Sequence, residues 1–276
     1  MPAADSRISA EDIRRRKGGV PIVCLTAYTY PIARLLDPHV DLLLVGDSVA
    51  MVLHGHATTL GASLEMMIAH GQAVMRGSAK ACAVVDMPAG SYEISAAQAV
   101  ASAQRIFEET GCQAVKLEGG VDVAAQIAAI VANGIPVMGH IGLQPQSVEK
   151  DGGYKIKGRT EENIAALFRD AEAVEKAGAF SVVIEGTMEA VAAKLTRHVS
   201  IPTIGIGASA DCDGQILVID DMIGLTVDRV PKFVKEYADL RNVVADAAAR
   251  YAAEVRSRAF PSPDHVFTTA PGKDET

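Results

Sequence analysis

The sequence lacks the features that would place this chain in a membrane or on nucleic acid. It contains no run of about 18 apolar residues, so no segment is long and apolar enough to form a membrane-spanning helix. Residues 1–17 lack the apolar core of a signal peptide. No long run of Lys and Arg occurs, and the formal net charge is −8, which argues against nucleic acid or an anionic membrane as a partner. We therefore expect a cytoplasmic protein.

Paired cysteine spacings are also missing. The sequence has four cysteines, Cys24, Cys82, Cys112 and Cys212, and three of the four lie inside apolar runs. We expect buried, reduced thiols, as in a cytosolic protein, with a cysteine nucleophile as the alternative. The densest basic patch, Arg14 to Lys17, is interpreted as the carboxyl end of a helix, where cations suit the helix dipole, with a phosphate site as the alternative.

The sequence of 276 residues is 49% hydrophobic and contains eight apolar segments. The segments are continuous rather than alternating, which is typical of parallel strands covered on both faces. We predict strands at 20–28, 41–48, 81–88, 112–119, 135–143, 180–186, 201–208 and 214–225.

The intervening segments are rich in Ala and have helical periodicity. Several begin at a Ser or Thr that can cap a helix, such as Thr160, or end at a Gly such as Gly111. Eight strands alternating with helices predict an α/β fold, a single (β/α)₈ barrel over residues 1–260 with an extra helix before the first strand. An open doubly wound sheet is the alternative, but no Gly-x-Gly-x-x-Gly follows the first strand. Residues 261–276 are interpreted as a C-terminal tail.

Polar residues recur at the carboxyl ends of the predicted strands. In a barrel these ends meet on one face, where active sites form. Buried carboxylates are costly unless paired or bound to a metal, and several together favour a divalent cation. Oxygen ligands without paired His or Cys suit Mg²⁺. The strand-end residues are Asp47, Ser48, Asp86, Lys116, Glu118, His140 and Glu185.

This set predicts metal-assisted proton abstraction next to a carbonyl group. The metal would polarise the substrate oxygen, and a carboxylate would take the proton. Lys116 would hold a substrate carboxylate or oxyanion, or would only neutralise Glu118 or Asp86. A Schiff-base role for Lys116 is disfavoured because nearby carboxylates raise a lysine pKa. For each carboxylate the alternative is a helix cap or an exposed loop position.

Two glycine-containing loops have open interpretations. Residues 204–209, "IGIGAS", either present backbone N–H groups to an anion or use glycine for close packing. Residues 150–159, "KDGGYKIKGR", form either a lid over the site or a surface turn.

A series of short motifs resembles the ketopantoate hydroxymethyltransferase family over roughly residues 8–260. The motifs occur in the family's order: "LTAY", "LLVGDS", "VVDMP", "AVKLEGG", "IPVMGHIGLQPQS", "GGYKIKGR", "VIEG", "IPTIGIGA" and "CDGQILVIDDMIGL". The resemblance implies a (β/α)₈ barrel, Mg²⁺ dependence and a homo-oligomer, commonly a decamer. It implies transfer of a one-carbon unit from 5,10-methylenetetrahydrofolate to 3-methyl-2-oxobutanoate, giving 2-dehydropantoate through a Mg²⁺-stabilised enolate in pantothenate synthesis.

The same resemblance implies roles for the strand-end residues. Asp47 and Asp86 would ligate Mg²⁺ and thereby contact the keto acid, and Glu118 would be a further acidic residue of the metal site, acting through water. Ser48 and Lys116 would contact the keto acid. Glu185 would be the base that removes the C3 proton, whereas His140 has no implied role.

Two other functions remain as alternatives. One is a Mg²⁺-dependent 2-oxo-acid lyase or mutase of the phosphoenolpyruvate mutase and isocitrate lyase type, although the chain lacks the Lys-Cys-Gly-His loop of those lyases. The other is a non-catalytic barrel that serves as a binding module, which the complete acidic set disfavours.

Overall fold

Eight parallel strands form a closed barrel in the computed structural model, which describes residues 7–227 and 230–267. Each strand pairs with the next along the chain, and the eighth pairs with the first, with Ile22 opposite Gly214. The strands are β1 Ile22–Thr26, β2 Leu42–Val45, β3 Cys82–Asp86, β4 Ala114–Glu118, β5 Val137–Gly142, β6 Ser181–Glu185, β7 Thr203–Ile206 and β8 Gly214–Leu217. This confirms the predicted barrel and excludes the open doubly wound sheet.

Helices follow or precede the strands as the periodicity predicts. They are α1 Ala10–Arg14, α2 Tyr30–Leu36, α3 Val49–Val52, α4 Leu64–Gly77, α5 Ala96–Thr110, α6 Ala124–Ala132, α7 Val148–Asp151, α8 Glu161–Lys176, α9 Glu189–His198, α10 Ile219–Met222 and α11 Leu240–Ser257. The side chains of Ser63, Ser95 and Thr160 cap α4, α5 and α8. Gly111 ends α5 in the left-handed conformation, which glycine adopts without steric cost.

The extra helix α1 closes the amino-terminal end of the barrel. Its Ala10 and Ile13 belong to the same buried cluster as Ile22 and Cys82, the first residues of β1 and β3. The basic patch lies at the end of this helix, as predicted. Two of its cations form ion pairs within the chain, Arg16 with Asp41 at 2.7 Å and Lys17 with Asp213 at 2.9 Å, which supports the helix-end interpretation.

The connection into β3 depends on one buried carboxylate, Asp37, at the end of α2. Asp37 accepts hydrogen bonds from the Ser78 hydroxyl at 2.6 Å and from the backbone N–H groups of residues 79–81. Burial alone would raise the pKa of Asp37, but these donors outweigh it and lower the pKa below its usual value. Asp37 thus fixes the turn that starts β3.

The predicted eighth strand is shorter than the sequence suggested. Only residues 214–217 of the predicted segment 214–225 are strand, and residues 219–222 form α10. The Ile219 N–H donates to the Thr26 hydroxyl at 2.9 Å instead of continuing the strand pairing. Asp220 and Asp221 then occupy the first turn of a helix, where the dipole favours carboxylates.

The chain divides into two compact units. The first contains residues 7–219 and 231–234, including all eight strands; the second contains residues 220–227, 230 and 235–267 with α11. In the second, the Tyr237 N–H donates to the Met222 carbonyl at 2.8 Å. The boundary at residue 260 stays a prediction, and residues 268–276 of the predicted tail lie outside the described residues. Within the described ranges, no helix has the length and apolar character needed to cross a membrane.

Candidate active site

The barrel register brings the predicted strand-end residues side by side. Asp86 lies opposite Lys116, and Glu118 lies opposite His140. Glu185 lies opposite Gly142, two residues beyond His140 on β5, and its Oε2 is 3.2 Å from His140 Nε2. Because adjacent strands of a barrel are about 4.8 Å apart, these pairs place their functional groups within contact distance. The predicted convergence is therefore present.

Asp47 joins this group through the loop after β2. Its backbone N–H donates to Asp86 Oδ2 at 3.0 Å, so the two aspartates are held next to each other. Ser48 follows directly, and its hydroxyl lies 2.8 Å from the Tyr28 hydroxyl. Asp47 and Asp86 are buried, with 4% and 2% of their surfaces exposed.

A continuous chain of charged groups crosses the barrel mouth. Lys116 Nζ lies 2.8 Å from Asp86 Oδ1 and 3.1 Å from His140 Nδ1. His140 Nδ1 lies 3.4 Å from Glu118 Oε1, and its Nε2 lies 3.2 Å from Glu185 Oε2. His140 thus contacts the lysine, the metal-site candidate Glu118 and the predicted base. The sequence assigned it no such connecting position.

Asp47 and Asp86 are buried without enough positive charge nearby to offset the cost of their ionisation. Burial, together with the neighbouring Asp86 and Glu118, raises the pKa of Asp47 well above its usual value. Burial also raises the pKa of Asp86, although Lys116 opposes it. For Glu118 the effect of burial is outweighed by His140 and Lys116, so its pKa is lowered. The aspartate pair is where an additional cation would be most stabilising.

Neighbouring carboxylates raise the pKa of both basic side chains, Lys116 and His140, despite their burial. Burial favours neutral Lys116, but Asp86, Glu118 and Asp47 outweigh it and raise its pKa. Burial and Lys116 oppose protonation of His140, yet Glu118 and Glu185 raise the pKa of His140 to about 9. A charged lysine cannot act as an amine nucleophile, so the Schiff-base role is disfavoured as the sequence argument stated.

The oxygen donors fit a hard divalent cation. Asp86 Oδ1 and Glu118 Oε1 are buried and accept no hydrogen bond, although each faces a cationic side chain. Across residues 7–227 and 230–267, no three His, Cys, Asp or Glu side chains form a complete metal-binding group. Mg²⁺ does not need one, since it is usually held by one or two carboxylates and keeps its other positions for water or substrate oxygens.

Three residues of this site were missed by the sequence analysis: Tyr28, Tyr92 and Gln146. Gln146 donates to Asp47 Oδ2 at 2.8 Å, and Tyr92 donates to Gln146 Oε1 at 2.6 Å. Gln146 lies in a 3₁₀ turn after β5, and the available signals were its position just beyond a strand end and its place in the motif "IPVMGHIGLQPQS".

The two glycine-containing loops, residues 204–209 and 150–159, make different contacts in the structure. In residues 204–209 a Cβ at Gly207 would lie 2.7 Å from the Phe233 ring, which supports close packing as the reason for that glycine. In the other loop the Tyr154 hydroxyl lies 3.9 Å from Met51 Sδ, and the Lys157 N–H donates to the Gly186 carbonyl at 2.9 Å. That loop lies beside the site, next to the residue that follows Glu185.

None of the cysteines is a suitable nucleophile. All four are free and buried, as predicted. Burial raises the pKa of Cys82 to about 12 and that of Cys112 to about 11, so both are protonated at neutral pH.

Together these features define a (β/α)₈-barrel enzyme whose acidic site lies at the carboxyl ends of the strands. The same fold occurs in a solved structure of 2,3-dimethylmalate lyase, a PEP mutase/isocitrate lyase superfamily member (TM-score 0.58, 18% identity, covering 93% of this chain and 92% of that one). It also occurs in phosphonopyruvate hydrolase complexed with oxalate and Mg²⁺ (TM-score 0.57, 14% identity, covering 93% and 92%). At these identities the likeness concerns the fold alone.

Sequence comparison identifies the family, which the structural likeness does not. Residues 7–263 match the family model for ketopantoate hydroxymethyltransferase. The chain is 84% identical over 268 residues to a 3-methyl-2-oxobutanoate hydroxymethyltransferase of Mesorhizobium japonicum (97% of this chain, 94% of the relative). It is 60% identical over 266 residues to the protein of that name from Rhodospirillum rubrum (96% of each). The chain belongs to the ketopantoate hydroxymethyltransferase family, as its motifs predicted, and the lyase and mutase alternative shares only its fold.

Proposed function

We propose that the protein transfers a hydroxymethyl group from 5,10-methylenetetrahydrofolate to 3-methyl-2-oxobutanoate, giving 2-dehydropantoate. The observation that carries this proposal is a family match spanning the whole barrel in a chain whose strand ends hold the complete acidic set. A non-catalytic binding module would have no need to bury several carboxylates with a lysine and a histidine, an arrangement that costs stability.

Asp47 and Asp86 would hold Mg²⁺, with Glu118 acting through water. The burial of both aspartates and the raised pKa of Asp47 support this position for a cation. A phosphonopyruvate hydrolase with this fold binds oxalate and Mg²⁺, which is consistent with the assignment. When bound, Mg²⁺ would neutralise the aspartates and polarise the 2-oxo group of the keto acid.

Lys116 and Ser48 would bind the keto acid beside the aspartates. Lys116 is charged and already placed 2.8 Å from Asp86, so it can donate to a substrate carboxylate or oxyanion next to that residue. The Ser48 hydroxyl is oriented by its contact with Tyr28. These groups would hold the keto acid in one orientation.

Glu185 would accept the C3 proton of the keto acid. Its side chain is 17% exposed, against 3% for Glu118, so it can reach a bound substrate. His140 Nε2 lies 3.2 Å from Glu185 Oε2 and so holds the carboxylate that would accept the proton in place. The C3–H bond breaks, and its electron pair forms the bond to the methylene carbon of the folate. Both bonds from that carbon to folate nitrogens break, water supplies the hydroxyl group of the product, and tetrahydrofolate leaves with the nitrogens protonated.

The proposal is tested by NMR of 3-methyl-2-oxobutanoate in D₂O with the protein, with and without Mg²⁺ and without folate. We expect loss of the C3 proton signal that depends on Mg²⁺ and is stopped by EDTA. The full reaction with 5,10-methylenetetrahydrofolate then yields 2-dehydropantoate. A protein that produces no 2-dehydropantoate, or that instead cleaves isocitrate or 2-methylisocitrate, contradicts the proposal.

We further propose a cytoplasmic homo-oligomer, a decamer as the family suggests, without a nucleic-acid or membrane partner. The 18-residue helix α11 has no buried residue in the single chain, which supports an association between copies. Leu240, Val244, Tyr251 and Val255 form an apolar stripe along it. Light scattering on wild type and on Tyr251→Lys tests this: a monomeric wild type, or an oligomer that Tyr251→Lys leaves intact, contradicts it for this helix.

A further inference from the structure

The side chain of Gln146 makes three hydrogen bonds at the barrel mouth. Its Nε2 donates to Asp47 Oδ2 at 2.8 Å and to the Met87 carbonyl at 3.0 Å. Its Oε1 accepts from the Tyr92 hydroxyl at 2.6 Å. Both amide hydrogens and the amide oxygen are therefore used, and all three partners belong to loops that follow β2 and β3.

The partners also determine the orientation of the amide. If the amide were rotated by 180°, Oε1 would face Asp47 Oδ2 and the Met87 carbonyl, two acceptors, and Nε2 would face the tyrosine hydroxyl. Only the observed orientation satisfies every group. A glutamine is suited to this place because it supplies two donors and one acceptor without adding charge beside the aspartates.

The backbone of Gln146 reaches a third acidic residue. Its N–H donates to Glu118 Oε2 at 3.0 Å. Tyr92 also connects Gln146 to Glu118. Its hydroxyl donates to the Gln146 amide oxygen at 2.6 Å and accepts from the Glu118 N–H at 3.3 Å. One residue on the loop after β5 thus contacts carboxylates from the loop after β2 and from β4.

We propose that Gln146 is a positioning residue that orients the carboxylates of Asp47 and Glu118, with Tyr92 fixing the Gln146 amide. Gln146 bonds to one oxygen of each carboxylate, Oδ2 of Asp47 and Oε2 of Glu118. Asp47 Oδ1 is the oxygen that would then face a cation, whereas Glu118 Oε1 faces His140 Nδ1 at 3.4 Å. This inference rests on the proposed Mg²⁺-dependent function. Residues that orient metal ligands in this way commonly change metal affinity or activity 10- to 100-fold when altered.

The test compares Mg²⁺ binding by calorimetry, in the presence of 3-methyl-2-oxobutanoate, for wild type, Gln146→Met and Tyr92→Phe. Methionine has nearly the shape of glutamine but makes none of the three hydrogen bonds, and the backbone N–H to Glu118 remains. We expect Gln146→Met to weaken Mg²⁺ binding about 10-fold or more. We expect a smaller loss in Tyr92→Phe, because Gln146 keeps its two donated bonds.

Gln72→Met is the matched control. Gln72 is on α4, and its Nε2 donates only to the Glu109 carbonyl at 3.1 Å, away from the acidic residues. The Gln72→Met variant should bind Mg²⁺ with the same affinity as wild type. Thermal unfolding of each variant separates a positioning role from packing, since a packing role lowers the melting temperature but leaves Mg²⁺ affinity unchanged in the folded protein.

The outcomes distinguish this inference from the proposed function. If Gln146→Met is folded and binds Mg²⁺ within twofold of wild type, the positioning role is wrong while the function stands. If wild type binds no Mg²⁺ with the keto acid, the proposed metal site itself is wrong. A 10-fold weaker Mg²⁺ affinity, with a melting temperature near that of wild type, supports the positioning role.

Discussion

Replacing Glu185 with glutamine removes the predicted base and keeps its shape, so the side chain can occupy the same place 3.2 Å from His140 Nε2. No cavity forms, but the neutral amide removes one of the two carboxylates that raise the pKa of buried His140. The free energy of unfolding should therefore fall by roughly 0.5–3 kcal/mol. At the reaction centre the substitution removes the ability to accept the C3 proton.

The expected size of the effect follows from that loss. A positioned general base contributes about 10²- to 10⁴-fold to the rate. At about 1.4 kcal/mol for each factor of ten, Glu185→Gln should raise the barrier by roughly 3–5.5 kcal/mol. Binding of Mg²⁺ and the keto acid involves Asp47, Asp86 and Lys116, so the dissociation constant of the keto acid should stay near that of wild type.

Two assays measure the loss of rate in Glu185→Gln: deuterium exchange at C3 and the steady-state formation of 2-dehydropantoate. Both rates should fall together, because both require the same proton transfer. Glu172→Gln is the control, since Glu172 contacts His198 at 2.7 Å in a similar glutamate–histidine pair that is exposed and far from the strand ends. Exchange within a factor of ten of wild type in Glu185→Gln would refute Glu185 as the base.

Three further outcomes test other parts of the molecule. Asp86→Asn should weaken Mg²⁺ binding at least 10-fold by calorimetry, and an unchanged Mg²⁺ dependence would remove Asp86 from the metal site. Asp37→Ala should lower the free energy of unfolding by about 3 kcal/mol in urea titrations at pH 7. Because the pKa of Asp37 is lower folded than unfolded, this difference should persist above about pH 4 and shrink as the pH falls through the lowered value; a constant difference would contradict the ionised role. Gly142→Ala should destabilise by roughly 3 kcal/mol, since φ is +93° and a Cβ would lie 2.3 Å from the Glu185 carbonyl; wild-type stability would contradict that crowding.

Much of the architecture could be predicted because it depends on local patterns. Continuous apolar runs marked all eight strands, and Thr160 marked a helix start that the structure confirms. The eighth strand was predicted too long. An apolar run interrupted by two aspartates is compatible with both a strand and a helix, so the sequence pattern does not show where the strand ends.

The sequence by itself determined the barrel and the list of polar residues at its strand ends, because chain order and hydrophobic periodicity are enough to say which side chains follow a buried strand. Only the tertiary structure decided which of them touch. His140 lies between Lys116 and Glu185 because of the register of β4, β5 and β6. Gln146 reaches Asp47, 99 residues earlier in the chain, because closure of the barrel brings the loops after β2 and β5 together. Such contacts depend on distances across the barrel mouth, and spacing along the chain does not encode them.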